Sequence, residues 1–232
     1  MTAWNALSLL PAADWLALAL FFAGWAGYAR FARRRAAVRP SVLAATNRIR
    51  RQWMLQATRR DTRIVDGAVL NSLTGSPSFF ASTTILILGG LLALLGASDK
   101  AGELVGELPF AVRSSALVME LKLLLLGGIF IYAFFRFTWS IRQYTFGALL
   151  IGACPDSAQF ADEAERERFA DRAGRVMGLA AEAFNHGLRA YYMAFATLGW
   201  FLSPWALVAG TAAVITVLYL REFRSEVLDA LG

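Results

Sequence analysis

Residues 190–220 are 31 in a row without a charge, closed off by Arg189 on one side and Arg221 on the other. As one straight helix the run would measure roughly 45 Å, half as long again as the ~30 Å hydrocarbon core of a bilayer. One upright span leaves it too long, so the run must turn, tilt or bend. Within it stands the stretch FLSPW, where Ser203 suits a helix N-cap and Pro204 the first helical position. Trp200 and Trp205 flank it as an interfacial pair would. The pattern predicts a hairpin that turns at the outer membrane surface; the alternative is one kinked helix, which would leave the C-terminus outside.

The rest of the chain fits the same solvent. Of 232 residues, 57% are hydrophobic, and the 17% that are charged gather in short blocks. Apolar spans are expected at about residues 14–31, 77–97, 116–136, 178–202 and 204–223. The fold class is therefore an all-α polytopic transmembrane bundle of four or five spans in one integral-membrane domain. Ser76 and Pro77 repeat the Ser-Pro signature and predict the start of the second span.

Charge placement gives the orientation. The formal charge is +6, and 11 of the 23 basic residues fall within residues 30–63, directly after the first span. They read as a topology signal and an anionic-lipid contact rather than as a nucleic-acid surface. The first span lacks the basic n-region of a secretory signal and ends in Arg33, Arg34 and Arg35, as a retained anchor with its N-terminus outside would. The connector over residues 99–115 carries Asp99, Glu103 and Glu107 against Lys100 and Arg113, which suits the outer side. A bacterial inner membrane is the expected location.

Two amphipathic helices are expected on the cytoplasmic side. Over residues 41–71, Ile49, Trp53, Ala57, Ile64 and Ala68 recur at near-helical spacing, with Arg48, Arg51, Arg59 and Arg63 on another side as headgroup contacts. Over residues 157–176, Glu163/Arg166 and Glu165/Arg168 stand at i,i+3 and Asp171/Arg175 at i,i+4, the marks of a solvated helix.

Candidate chemistry is sparse. The single Cys154 permits no internal disulfide and no cysteine zinc site, and the nucleotide and metal motifs are absent, so neither a cofactor nor a metal is expected. The only histidine, His186, shares a helix face with Glu182 and Arg189 and follows Asn185. This group reads either as a proton relay or ion-binding rung near the inner mouth, or as the polar end of a span with Arg189 reaching for phosphate. Glu120 and Lys122 lie inside the third span, two positions apart and so on different sides; Glu120 either lines a water-filled path or sits in the headgroup region beside Arg113. Ser82, Thr83 and Thr84 either line a pore or bond back to their own helix. Gly89, Gly90, Gly127 and Gly128 predict a close crossing of spans two and three.

Four stretches taken in order, NRIRRQWM from Asn47, FFASTTILILGGLLALLG from Phe79, LKLLLLGGIFIYAFFRFTWSIRQYTF from Leu121 and NHGLRAYYMAFATLGWFLSPW from Asn185, resemble the family catalogued as domain of unknown function 599. The resemblance implies a multi-pass membrane protein and assigns no catalytic residue. No enzymatic constellation emerges, and the expectation is a non-enzyme: an oligomeric ion channel or channel-like transport protein partnered by membrane lipid and copies of itself, with no nucleic acid and no soluble partner indicated. The alternative is a membrane scaffold or regulatory subunit that binds anionic lipid or a partner protein through the basic helix. Five short helices enclose little volume, so a path would form most easily at a symmetry axis.

Overall fold

The computed structural model describes residues 10–36, 38–97 and 115–231. The acidic connector expected over residues 99–115 lies, apart from Ser115, outside them. Helices run in the order α1 Ala12–Ala36, α2 Val42–Ala57, α3 Ile64–Leu95, α4 Ala116–Gly152, a short 3-10 turn Ser157–Gln159, α5 Glu163–Leu202, α6 Pro204–Phe223 and α7 Glu226–Leu231. Among the described residues there is no strand. Four segments are long and apolar enough to cross a membrane: α1, α3, α4 and Pro204–Leu231. The chain is an all-helical membrane protein.

Several boundaries differ from those read in the sequence. Ser76 and Pro77 do not start a helix; Pro77 lies inside α3, which begins at Ile64 and runs 32 residues. Proline costs an interior helix the bond to the carbonyl four residues back, here that of Leu73. The amphipathic segment expected over residues 41–71 is correspondingly broken: Thr58 caps α2, its amide bonded to the Met54 carbonyl, and Asp66 stands in the first turn of α3. Helix α4 continues from the expected end near residue 136 to Gly152, and its 37 residues, roughly 55 Å at 1.5 Å each, exceed a bilayer core by far.

The expected solvated helix and fourth span are one element. Helix α5 runs unbroken for 40 residues from the charged Glu163 end to Leu202. It does not qualify as a candidate span by apolarity, yet Ala180, Ala183, Ala190, Met193, Ala194, Ala196 and Trp200 along it are buried. Protein covers these residues, whereas Leu179, Phe195 and Leu198 on the same helix are exposed.

The Ser-Pro signature at Ser203 and Pro204 does start a helix. Ser203 Oγ accepts from the Ala206 amide at 3.0 Å. A Cβ added to Gly199 would lie 2.8 Å from the Ala206 carbonyl oxygen, and one added to Gly210 would lie 3.3 Å from the Ala196 Cα. Stepping back from residue 199 to 196 on α5 thus moves the contact forward from 206 to 210 on α6. The two helices are antiparallel, which makes residues 190–220 a hairpin and not one kinked helix.

Contacts divide the chain into two compact units. The first takes the described residues of Met1–Arg35, Thr84–Tyr132 and Arg189–Arg221; the second takes Ala36–Thr83, Ala133–Leu188 and those of Glu222–Gly232. In the second unit, Met54, Leu70, Tyr144, Ile151, Cys154, Phe169, Ala170, Ala173, Met177 and Ala180 form a core. Here α2 lies antiparallel on the amino-terminal half of α5, at a groove made by glycine: Cβ atoms on Gly174 and Gly178 would meet the Arg51 backbone and the Asn47 side chain at 3.0 Å. Helix α7 packs on α2, and Glu222 accepts the Leu43 amide at 3.3 Å.

Candidate functional site

In the first unit, three helix ends bring charged and aromatic side chains together. Asp14 stands in the first turn of α1, Lys122 in the second turn of α4 and Trp200 in the last turn of α5. Trp200 Nε1 donates to Asp14 Oδ1 at 2.6 Å, and both side chains are buried. The Lys122 ammonium lies 5.5 Å from the Trp200 ring centre and 5.9 Å from that of Phe201. Lys122 is 4% exposed, and the Asp14 carboxylate is near enough to act on its charge. An ammonium withdrawn this far from water needs compensation. Two π faces and an acid that shares their tryptophan supply part of it.

Lys122 was legible as a charge inside an apolar run. Asp14 and Trp200 were not legible as its neighbours, because they lie 108 positions before it and 78 after it in the sequence. Glu120, two residues from Lys122, is only half-buried. Arg113, expected beside it, lies outside the described residues.

The histidine group divides. His186 Nε2 lies 3.6 Å from Glu182 Oε1 within the second unit, a loose pairing of two partly exposed groups. Arg189 belongs to the first unit, where its guanidinium lies 5.5 Å from the centre of the Tyr28 ring. Asn185 is half-buried. Of the hydroxyl run, Ser82 is exposed and Thr83 half-buried, whereas Thr84 is buried with its Oγ1 2.6 Å from the Tyr191 hydroxyl. Thr84 is therefore held by α5 rather than bonded only within its own helix.

The glycine crossing is absent. A Cβ built on Gly89, Gly90, Gly127 or Gly128 meets nothing within 4 Å among the described residues. Close approach occurs instead at Gly24, Gly147, Gly174, Gly178, Gly187, Gly199 and Gly210, on α1, α4, α5 and α6. Pairs of glycine at matching depth do not make a crossing unless their helix faces also match.

Most of the basic face expected to meet lipid is engaged by protein. Arg51 pairs with Asp171, Arg59 with Glu163 at 2.5 Å, and Arg63 donates to the carbonyls of Ala57 at 3.2 Å and Pro155 at 2.5 Å. Arg48, Arg33 and Arg34 are exposed, while Arg35 donates to the Tyr219 hydroxyl at 3.4 Å. The local pairs on α5 shift accordingly. Glu163 and Arg166 lie 3.7 Å apart as expected, but Glu165 turns back to the Ala161 amide at 2.8 Å, and Asp171 takes Arg51 in place of Arg175.

A second buried acid escaped notice in the sequence. Asp66 Oδ1 accepts from Trp53 Nε1 at 2.7 Å and from Arg60 at 2.6 Å, with the side chain 1% exposed. It pins the turn between α2 and α3. Nearby, burial pushes the Cys154 thiol above its usual range, partly offset by Arg63 and Arg166. Among the described residues no three His, Cys, Asp or Glu side chains are grouped to hold a metal ion.

The family model of DUF599, a protein of unknown function, matches residues 16–227. The chain belongs to this family. The match takes in most or all of each of the four candidate spans together with Lys122 and Trp200, but begins two residues beyond Asp14. No curated protein and no solved structure is detectably similar to it.

Proposed function

We propose that this DUF599 protein is a channel-like transport protein for small anions, assembled from several copies in a bacterial inner membrane with its N-terminus outside. The observation that carries the reading is Lys122, an ammonium buried in a membrane helix at the end shared with the start of α1. Charges at such positions are costly, and they commonly mark a substrate or ion path. A positive charge at a constriction favours anions. Asp14 serves as the resident counter-ion, and an entering anion takes its place beside the ammonium while Trp200 keeps the carboxylate bonded. With α5 accompanying α6, the chain passes the membrane five times, and the excess of arginine after α1 sets the orientation.

A scaffold role is less well supported. It relied on the guanidiniums of Arg48, Arg51, Arg59 and Arg63, and three of these four already have protein partners.

The test is chloride and nitrate efflux from loaded proteoliposomes. Wild type conducts, Lys122→Gln loses most of the flux, and Lys122→Arg, which keeps the charge, retains part of it. A wild type that passes neither anion, or a Lys122→Gln variant that conducts like wild type, overturns the proposal.

A further inference from the structure

The first unit carries a groove between α1 and α6 with a volume of about 420 Å³, lined by Ala23, Gly24, Gly27, Tyr28, Ile215 and Thr216, with Phe31 and Tyr219 at one end. Glycine makes it: a Cβ on Gly27 would meet nothing within 4 Å, so the groove floor there is open. At Gly24 the groove narrows, because a Cβ would come within 3.0 Å of the Ile215 side chain. The Phe31 and Tyr219 end is capped by charge. Arg35 lies 5.5 Å from the Phe31 ring centre and 5.7 Å from that of Tyr219, on the same α1 face one turn further on. Arg33 and Arg34 stand beside it in the last turn.

We infer that this groove binds one acyl chain of an anionic phospholipid, with the headgroup phosphate at Arg35. Length argues for a lipid tail. From Ala23 to Phe31 the groove covers roughly 12 Å of helix rise, close to the ~15 Å depth of one leaflet and well short of the ~30 Å along which a neighbouring span would pack. Charge argues for an anionic headgroup, because the apolar slot ends where the arginines begin. The inference stands independently of the transport reading, since it concerns the opposite half of α1 together with α6 and needs no flux.

The experiment is native mass spectrometry of the full chain in mild detergent, titrated with dioleoyl-phosphatidylglycerol and dioleoyl-phosphatidylcholine. Wild type retains a phosphatidylglycerol in preference to phosphatidylcholine. Arg35→Gln loses about fivefold of that preference, as expected for one arginine's worth of surface attraction, about 1 kcal/mol. Gly27→Leu and Thr216→Phe fill the groove from opposite walls and lose the retained lipid whatever its headgroup. A photoactivatable phosphatidylglycerol on wild type labels α1 or α6, which keeps the inference testable if the filling variants fold poorly. Equal lipid retention by folded Gly27→Leu, or labelling confined to other helices, overturns it. So does a Gly27→Leu variant that leaves lipid binding intact and splits an oligomer into monomers, since the groove would then hold a second copy.

Discussion

Replacing Gly199 with alanine tests the α5–α6 hairpin through a single atom. The new Cβ would lie 2.8 Å from the Ala206 carbonyl oxygen and 3.0 Å from its carbon, both backbone atoms of a helix that is itself capped at Ser203. No side chain can rotate to relieve the contact, so the two helices must separate. Crowding of this kind costs about 1–3 kcal/mol, and the rigid neighbour places Gly199 near the upper figure. Alanine returns up to about 1 kcal/mol through its better helix propensity. The net loss is about 2 kcal/mol, enough to change the folded-to-unfolded ratio by more than tenfold. Gly210→Ala provides the graded control: its Cβ would sit 3.3 Å from the Ala196 Cα, so crowding and propensity nearly cancel. Gly89→Ala meets nothing within 4 Å and comes out neutral to slightly stabilising. Unfolding in mixed micelles, followed by tryptophan fluorescence, should rank Gly199→Ala below Gly210→Ala and both below Gly89→Ala. A Gly199→Ala variant as stable as wild type would mean that α5 and α6 do not approach at that turn.

Further outcomes follow from other sites. Asp66→Ala leaves Trp53 Nε1 and Arg60 without their shared acceptor and should cost about 1–3 kcal/mol in the same unfolding assay, whereas Trp53→Phe, which removes one donor, costs less. Arg51→Ala breaks a pair in which both partners are about half exposed, so it should change stability little, and less still at high salt. The buried Cys154 thiol, raised by burial, holds less thiolate at neutral pH than a free thiol does; iodoacetamide should therefore modify it slowly in the folded protein, faster as pH rises, and rapidly once the chain is unfolded. Modification of native protein at the rate of a free thiol at neutral pH would contradict its burial. On the five passes proposed above, a C-terminal reporter should report the side opposite the N-terminus.

Membrane residence and helical class were written in the composition and the apolar runs, because a bilayer rewards any long apolar helix whatever its neighbours. The Ser203-Pro204 turn was legible for the same local reason: a cap and a fixed φ act within four residues. The identical dipeptide at Ser76 and Pro77 shows the boundary of such signals, since there the upstream residues continue the helix. What the sequence could not disclose depended on partners distant along the chain. Lys122 announced a cost, and only packing brought Asp14 and Trp200 to meet it. The arginines between residues 48 and 63 resembled a lipid-facing stripe until Asp171 and Glu163, over 100 positions away, were placed opposite Arg51 and Arg59. Glycine pairs looked like a crossing at Gly89 and Gly127, but close approach needs two faces turned toward each other, and that rotation is set by the whole bundle. Local chemistry determined that the chain is helical and apolar enough for lipid and where α6 begins; tertiary packing decided which buried charge meets which counter-charge, because that energy arises only when three separate helix ends converge.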